Sequence, residues 1–592
     1  MNDLQVETEA VEWVSAFDDA IGSRDAAKLK DLFSDPAYFR DNGALTWDYR
    51  QFHGRDVVVS TLVGLAGEIQ PHRFRISSDW PAPNLQDHGG NEIFEAFFDF
   101  DTKFGKGVLV LNAVRDGASS RLRARAIFTR LEDLHGTEPL ARHPAGRGYV
   151  SAHPGQTWKQ HRDAARQYLD REPEVVVVGA GQAGLTTAAC LRRLGVDVLN
   201  IDRYDHVGDS WNKRYDALYL HNPIEMNGFP FLPFPPHYPQ YLPKDLIGDW
   251  LDIYARYMDL TVWTGTEFVS ATYDASADRW DAVVRSSDGT ERELHPRHIV
   301  WATGGIGGKP FVPTWDGIEA FAGKVMHSSQ YTGAADYGIK KAIIIGVATS
   351  AHDIARNLHD GGVEVTMFQR GPVVVNNVDT ANLAYAGYLD PAIPTELVDL
   401  RYGIGLINPL RESASRAYHT MAQDIDRELL DGLKAAGLEL GDGVDGQGWL
   451  DLFLRTGGGY YLNTGTSELI AAGKIKIEQF KRIVEFVPAG VELDDGSIVQ
   501  GDIIVLATGY QSRKSEVASV FGQDIGDRVG EIARLDPEGE WASMWGQTGQ
   551  RGLWFNGGGI NQMRPGSQRL ALLIKADLAG YISETFRRKA NG

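Results

Sequence analysis

Three glycines, Gly179, Gly181 and Gly184, have the GxGxxG spacing of a phosphate-binding turn. They lie between four consecutive valines, Val175–Val178, and a segment with helical periodicity. An apolar run of this length is typical of a strand that is buried on both faces. The first glycine permits a tight turn, the second lets the backbone approach a pyrophosphate, and the third lets helix and strand pack closely. Free N–H groups at the start of the helix would then bind the phosphate charge.

Asp202 follows a second predicted strand, residues 196–201, and is placed to accept a hydrogen bond from a ribose hydroxyl. Glycine-rich turns recur by chance, but here strand, glycines, helix, strand and acid come in order. We therefore predict a βαβ dinucleotide site over residues 172–202. The pattern alone does not say which dinucleotide binds.

A second βαβ unit is predicted between residues 341 and 368, with its turn at Gly-Val-Ala-Thr-Ser-Ala. Gly346 opens this turn, and Ala348 replaces the middle glycine. We expect Gly346, Thr349 and Ser350 to contact a second dinucleotide at the start of the helix.

Arg370 follows the second strand of this unit, where a site for NADH usually has an acid. A guanidinium group there suits a 2′-phosphate, so the sequence favours NADPH over NADH. The alternative is an arginine on a solvated turn.

The composition points to an ordinary globular protein whose partners are small molecules. A chain of 592 residues is too long for one core, and 43% hydrophobic with 23% charged residues argues against disorder. The net charge of −20 argues against nucleic acid or an anionic membrane as the main partner. The acidic N-terminus and the lack of a long apolar run predict a soluble, cytoplasmic protein with no membrane partner.

Cys190 is the only cysteine in the chain, and it lies in the predicted helix after the glycines. A single thiol excludes a disulfide, a cysteine metal site or a redox CxxC within one chain. We find no persuasive Ser–His–Asp set, paired carboxylates or metal ligands, so no metal is expected.

Residues 1–136 are predicted to form a separate α+β unit. Helical spacing comes first, at residues 11–21 and 26–33, and long strand-like stretches follow between about Phe74 and Leu131. This order resembles the cone-shaped NTF2-like (SnoaL-like) fold. A cone attached to an enzyme serves as a packing or dimerisation surface more often than as an active site, so we also expect a homodimer.

Residues 321–331 read FxGxxxHxxxY, with His327 and Tyr331 in the last two fixed places. With both nucleotide turns and the two Ala-Thr-Gly turns at 302–304 and 507–509, this motif resembles the flavin-containing monooxygenases, class B flavoproteins. The resemblance runs from about residue 173 to the C-terminus. The long N-terminal extension resembles the bacterial type II subgroup.

The resemblance implies an α/β fold with two Rossmann-like domains behind the α+β cone, one for FAD and one for NADPH, with NADH possible. It also implies a division of the chain. The predicted segments are the N-terminal domain (1–136), a connector (137–172), the FAD domain in two parts (173–335 and 501–592) and the NADPH domain (336–500), whose helical insertion (376–460) roofs a substrate cavity.

The activity that the resemblance implies is transfer of one oxygen atom from O2 to a small organic substrate through a C4a-(hydro)peroxyflavin. Baeyer–Villiger oxidation of ketones to esters or lactones, with sulfoxidation, is the primary expectation. Hydroxylation of amines or thioethers is an alternative within the same class. A flavoprotein reductase or ligand sensor that transfers no oxygen is an alternative from another class.

The resemblance also implies site residues. His221 or Asn222 is expected near the flavin C4a atom, and His327 is expected to act as a hinge beside the nicotinamide cofactor, with a general base as the alternative. The remaining expected cofactor contacts are Trp211, Arg214, Thr508, Gly509 and Gln562, the last at the start of a C-terminal helix whose positive end stabilises reduced flavin.

Overall fold

The computed structural model describes residues 3–87, 92–116, 121–137, 155, 157–304 and 308–589. Its N-terminal part is a curved seven-stranded sheet with three helices. The helices are α1 (Asp3–Gly22), α2 (Ala26–Leu32) and α3 (Arg55–Ile69). The strands are β1 (Phe33–Asn42), β2 (Tyr49–His53), β3 (His72–Ile76), β4 (Asn84–Asp87), β5 (Glu92–Asp101), β6 (Gly105–Arg115) and β7 (Leu122–Leu134).

The N-terminal sheet has the order β2-β1-β7-β6-β5-β3, and β4 also pairs with β5. All of these pairs are antiparallel except β1 with β7, which is parallel. Phe94, Phe98 and Phe100 of β5 pack with Trp13 and Phe17 of α1 in one buried cluster. Aromatic side chains therefore fill the space between helices and sheet. The predicted α+β class is confirmed, and likeness to NTF2 stays a prediction.

A helix, α4 (Trp158–Ala165), follows in the predicted connector. Connector residues 138–154 and 156 lie outside the described residues. The next part of the chain contains the first predicted dinucleotide turn. Its elements are β8 (Val175–Val178), α5 (Gln182–Arg193), β9 (Val198–Ile201), α6 (Asp209–Asn212), α7 (Lys244–Tyr257), β10 (Val262–Trp263), β11 (Thr266–Asp274), β12 (Arg279–Ser286), β13 (Glu291–Leu294) and β14 (His298–Trp301).

The chain then enters a second lobe that carries a helical insertion. Its elements are β15 (Lys324–His327), β16 (Lys341–Ile345), α8 (Thr349–Asp360), β17 (Glu364–Gln369), β18 (Val374–Asn377), α9 (Val378–Asn382), α10 (Ala386–Leu389), α11 (Thr395–Gly405), α12 (Asn408–Ile425), α13 (Arg427–Ala435), α14 (Gly448–Thr456), β19 (Tyr460–Asn463), α15 (Thr466–Ala471), β20 (Ile475–Gln479), β21 (Ile483–Val487), β22 (Gly490–Leu493), β23 (Ile498–Gln500) and β24 (Ile503–Leu506). The C-terminal elements are α16 (Arg513–Phe521), α17 (Gln523–Val529), β25 (Leu553–Phe555) and α18 (Ile560–Leu578).

The two lobes repeat one topology. The first has a parallel sheet in the order β10-β9-β8-β14-β25, and the second has a parallel sheet in the order β20-β17-β16-β24-β15. Each lobe also carries a three-stranded antiparallel sheet, β11–β13 in the first and β21–β23 in the second. In each sheet the glycine turn follows the central strand, which is the switch point where doubly wound sheets bind ligands.

The strand pairing moves both predicted boundaries of the second lobe. β15 and β24 pair with each other, and β24 also pairs with β16, so both belong to the second sheet. The chain thus enters this lobe by Lys324 rather than after residue 335, and leaves it after Leu506 rather than at residue 500. Local sequence did not reveal this, because β15 and β24 are short and their sheet is decided by long-range pairing.

The N-terminal unit shares its core with the first lobe. One buried cluster includes Phe17 and Leu131 of the N-terminal unit together with Leu570 and Leu573 of α18. The insertion begins and ends at a two-stranded parallel ribbon, β18 with β19. Cys190 is buried on α5. Among the described residues, no helix combines the length and the apolar character needed to cross a bilayer.

Candidate active site

The first glycine turn is shaped by contacts within the protein. Gly179 has a φ of +105°, and its N–H donates to the Ile201 carbonyl at 2.8 Å. A Cβ at Gly179 would lie 2.5 Å from the Ala302 carbonyl oxygen, and one at Gly184 would lie 1.8 Å from the Gly179 oxygen. Both positions therefore require glycine for folding, whether or not a ligand is bound.

Gly181 differs from its two neighbours because the protein does not fill the space beside it. A Cβ there would meet only the Ser210 hydroxyl, at 3.7 Å. Gly181 is the N-cap of α5, and no side chain caps that helix. The N–H groups of its first turn have no acceptor inside the helix. An open space in front of uncapped N–H groups fits a pyrophosphate.

Asp202 lies beside this turn, directly after β9. Its carboxylate accepts from the Ala180 N–H at 2.6 Å and from the Tyr204 N–H at 2.8 Å. Burial raises the pKa of Asp202 above its usual value, although these two N–H groups oppose the shift. The carboxylate is held at the edge of the turn, where a ribose hydroxyl can reach its remaining lone pairs.

The second turn repeats the first. Gly346 has a φ of +125°, its N–H donates to the Phe368 carbonyl at 2.9 Å, and a Cβ would lie 2.5 Å from the Ala507 oxygen. Ala348 is the N-cap of α8, which no side chain caps. Thr349 donates from its hydroxyl to the Tyr460 carbonyl at 3.0 Å, which ties the helix start to the ribbon below the insertion.

Two further predicted residues lie near this second turn. Ser350 is half-buried in the first turn of α8, and Arg370 is exposed directly after β17. The preceding Gln369 is buried and donates to the Glu439 carbonyl at 2.7 Å, which fixes the strand end. The structure thus places the Arg370 guanidinium at the same edge of the sheet as the Gly346 turn.

Trp211 and Arg214 lie on and after the short helix α6. The Trp211 indole N–H donates to the Gln182 side chain at 3.0 Å, which brings the ring to the first residue of α5. The Arg214 backbone N–H donates to the Trp211 carbonyl at 2.9 Å, and its side chain is half-buried.

His221 and Asn222 are adjacent in sequence but have different surroundings. His221 Nε2 lies 3.3 Å from Asp353 Oδ1 on α8, and the Tyr215 hydroxyl donates to Asp353 Oδ2 at 2.8 Å. Asp353 raises the pKa of His221 above its usual value, against the effect of burial. Asn222 stays with its own loop, where its Oδ1 accepts from Asn227 at 3.3 Å. His221 therefore joins the two lobes, and a role for Asn222 beside the flavin stays a prediction.

His327 has both ring nitrogens in use. Nε2 donates to the Gly509 carbonyl at 2.9 Å, and Nδ1 accepts from the Ser329 N–H at 3.2 Å. Burial lowers the pKa of His327, so the ring is neutral at pH 7. Thr508 donates to the Phe311 carbonyl at 2.6 Å, and Gly509 has a φ of +83°. These contacts join β15 to the turn that follows β24, and the role of His327 as a hinge stays a prediction.

The start of α18 contains one predicted residue and one that sequence reasoning missed. Gln562 accepts from the Gly559 N–H at 2.9 Å and closes the glycine loop. Arg564 is buried and forms an ion pair with Asp399 of α11 at 2.7 Å, and it also donates to the Met226 carbonyl at 2.9 Å. The insertion, the proline-rich loop at residues 207–236 and α18 thus meet at the Arg564 guanidinium group. Nothing in the local sequence marks this arginine.

Arg513 is a second residue that sequence reasoning missed. It lies 8% exposed at the start of α16 and donates to the Gly304 carbonyl. Its Nε and Nη1 have no partner among the described residues, and burial lowers its pKa to about 10. A Cβ at Gly557 would lie 3.4 Å from Nη2. A buried cation with unused donors, between the loops after β14 and β25, fits an anionic cofactor.

Comparison with known proteins agrees with this geometry. Residues 172–388 match the family described as flavin-binding monooxygenase-like. Indole-3-pyruvate monooxygenase YUCCA1 of Oryza sativa subsp. japonica is 33% identical over 350 residues, which cover 57% of this chain and 77% of the relative. Probable indole-3-pyruvate monooxygenase YUCCA9 of Arabidopsis thaliana is 31% identical over 340 residues, which cover 57% and 75%. The chain belongs to the flavin-binding monooxygenase-like family.

Solved structures with the fold of this flavin monooxygenase include cyclohexanone monooxygenase from Rhodococcus sp. Phi1 bound to NADP⁺. It is 18% identical, with a TM-score of 0.51 and coverage of 69% of this chain and 84% of that chain. The OTEMO complex with FAD and NADP is also 18% identical, with a TM-score of 0.51 and coverage of 69% and 87%. The predictions of an enzyme, of a flavin cofactor and of a fold with two nucleotide sites are confirmed.

Proposed function

We propose that this flavin monooxygenase uses FAD and NAD(P)H to insert one oxygen atom of O2 into a ketone, giving an ester or lactone, and that it also oxidises thioethers to sulfoxides. The names of the two relatives described above support a ketone as the substrate. Their name specifies indole-3-pyruvate, in which a ketone lies next to a carboxylate.

The observation that carries the proposal is the repeated turn. Gly181 and Ala348 each start an uncapped helix at the centre of a parallel sheet, and His221 and Asp353 join the two lobes at 3.3 Å. A chain built in this way holds two dinucleotides side by side. A nicotinamide and a flavin held together suit hydride transfer.

When bound, the FAD and NAD(P)H supply the hydride transfer and the activation of O2. The chain supplies position and charge. Asp202 would hold the FAD ribose, and the N–H groups after Gly181 would hold its diphosphate. Arg513 and the positive end of α18 would hold negative charge on the cofactor. Trp211 and Arg214 would line the edge of the flavin.

The second lobe would hold the nicotinamide cofactor. Its diphosphate would lie on the N–H groups before Thr349 and Ser350, and a 2′-phosphate would meet Arg370. Because Nε2 of His327 already donates to Gly509, the ring would fix β15 to the turn after β24 and would not act as a general base. Asn222 would face the substrate, and its amide can donate a hydrogen bond to a carbonyl oxygen.

The insertion would exclude water from the reacting atoms. Its inner side is a buried aromatic cluster that includes Tyr385, Tyr388 and Trp449 and reaches Met226 of the proline-rich loop. An apolar roof above a polar turn keeps the site dry, and hydrogen bonds and charges act more strongly there.

The test is turnover with NADPH under ¹⁸O2, with a cyclic ketone, indole-3-pyruvate and a thioether as separate substrates, followed by mass spectrometry. We expect a lactone with one ¹⁸O atom from the cyclic ketone. Sulfoxide with no ketone product would instead identify a heteroatom oxygenase. NADPH oxidation that yields only hydrogen peroxide with every substrate would identify a reductase. Light scattering of the same preparation tests the predicted homodimer.

A further inference from the structure

Helix α11 of the insertion lies against the outer face of the N-terminal sheet. Apolar side chains of both form one buried cluster. Its members are Phe97, Val108, Val110, Ala126 and Phe128 from the sheet, and Leu397, Leu400, Ile404 and Ile407 from α11 and the turn after it. The face of the sheet opposite to α1 is thus covered by the roof of the substrate cavity.

Charged contacts fix α11 on this sheet. Arg401 donates two hydrogen bonds to Glu95 of β5, at 2.7 and 3.0 Å, and Glu95 is only 5% exposed. Arg40 of β1 donates to the Gly403 carbonyl at 2.8 Å. Paired guanidinium–carboxylate bonds set orientation as well as distance. The helix is therefore held in one register.

Asp399, two residues before Arg401 on α11, connects this helix to α18. Its carboxylate accepts from Arg564 of α18 at 2.7 and 3.2 Å and from the Tyr388 hydroxyl at 2.7 Å. Arg564 in turn holds the Met226 carbonyl, four residues after Asn222. A shift of α11 would move both the proline-rich loop and the start of α18.

We propose that the N-terminal unit is a specificity-determining element: it sets the position of α11 and, through Asp399 and Arg564, the shape of the substrate cavity. Asp399 and Arg564 are positioning residues in this scheme. The part that concerns substrate rests on the proposed function. The part that concerns the position of α11 does not, because the rigidity of a helix can be measured without turnover.

Two glycines of α11 offer a matched test. A Cβ at Gly403 would lie 2.2 Å from the Phe128 ring, whereas one at Gly405 would meet nothing within 4 Å. Gly403→Ala therefore pushes the helix away from the sheet, and Gly405→Ala adds the same methyl group to open space. Phe128→Leu combined with Gly403→Ala gives back room for the methyl group.

Hydrogen exchange of residues 395–405 and the ratio of kcat/KM for a bulky and a small ketone are the readouts. We expect Gly403→Ala to raise exchange and to shift that ratio by about tenfold, which corresponds to about 1.4 kcal/mol. Gly405→Ala should match the parent protein. Phe128→Leu combined with Gly403→Ala should restore both the exchange and the ratio of kcat/KM. Rates are expressed per bound FAD, so that a loss of cofactor is not counted as a change of specificity.

Equal exchange and equal ratios in the Gly403→Ala and Gly405→Ala proteins would overturn the inference. If Gly403→Ala does not fold, Arg401→Lys takes its place, with Arg50→Lys as control. Arg50 of β2 pairs with Glu538 of the C-terminal segment at 2.6 Å. If the parent oxidises no ketone, the proposed function fails, but the exchange result still decides whether the N-terminal unit holds α11.

Discussion

His221 Nε2 of the first lobe lies 3.3 Å from Asp353 Oδ1 of the second, and both side chains are nearly buried. The groups around the pair are Tyr215, Tyr461 and His352. Burial raises the pKa of both tyrosines and lowers the pKa of His352 to about 4, so these groups stay neutral near pH 7. Among these neighbours of the pair none changes charge near neutral pH, which leaves His221 as the imidazole that titrates there.

The His221–Asp353 pair should make stability depend on pH. Because the pKa of His221 is raised in the folded state, its contribution is complete below the unfolded value of about 6.5 and is lost as pH rises through the folded value. We expect Asp353→Asn to lower stability by about 1 kcal/mol at pH 6 and by less at pH 9. Thermal melts followed by flavin fluorescence test this. A difference that grows with pH would contradict the assignment.

Gly181 and Gly184 should respond differently to substitution. A side chain at Gly184 collides with the Gly179 carbonyl, so Gly184→Ala should lower the melting temperature of the apoprotein. A Cβ at Gly181 would lie 3.7 Å from the Ser210 hydroxyl, which is ordinary contact, so Gly181→Val should keep the fold. It should lose FAD, because valine fills the space proposed for the pyrophosphate. Thermal melts followed by circular dichroism measure the loss of stability, and the ratio of absorbance at 450 nm to that at 280 nm measures the loss of FAD. A yellow, fully loaded Gly181→Val protein would refute this FAD site.

Arg370 should distinguish the two nicotinamide cofactors. Arg370 is exposed directly after β17, the position that we propose to meet a phosphate on the ribose. We expect Arg370→Ala to raise the KM for NADPH by about tenfold or more, the effect of losing a charge-assisted hydrogen bond, and to leave the KM for NADH nearly unchanged. Steady-state kinetics with both cofactors measure this. Equal effects on both would show that Arg370 does not contact the phosphate.

The ion pairs between the N-terminal unit and the C-terminal segment should differ in energy. Arg40 and Glu540 are each 6% exposed and 2.5 Å apart, whereas Arg50 and Glu538 are 39% and 35% exposed. Glu540→Gln leaves a buried guanidinium without its charge partner and should cost about 3 kcal/mol. Glu538→Gln should cost less than about 1 kcal/mol. Thermal unfolding of the two variants provides the comparison, and equal losses would contradict it.

The sequence was sufficient to predict those parts of the fold that depend on residues close together in the chain. The turns at Gly179 and Gly346 were predicted because strand, glycine and helix follow within a dozen residues. Helix α3 was not predicted. Its buried positions have helical spacing: Val58, Val59, Leu62, Ala66 and Ile69.

Contacts between distant parts of the chain were not predictable. Arg564 and Asp399 are 165 residues apart, and their pairing depends on how the insertion folds back onto α18. The same holds for the contact between His221 and Asp353 of α8. No local pattern encodes which of two parallel sheets a four-residue strand such as β15 will join.

The burial of Cys190 has a consequence for the lifetime of the protein. Enzymes that handle O2 and reduced flavin release some hydrogen peroxide, which attacks thiolates rather than thiols. Cys190 is the only cysteine, it is 4% exposed, and burial raises its pKa to about 12. Its sulfur therefore stays protonated and out of reach, so the chain has no cysteine that its own by-product would readily oxidise.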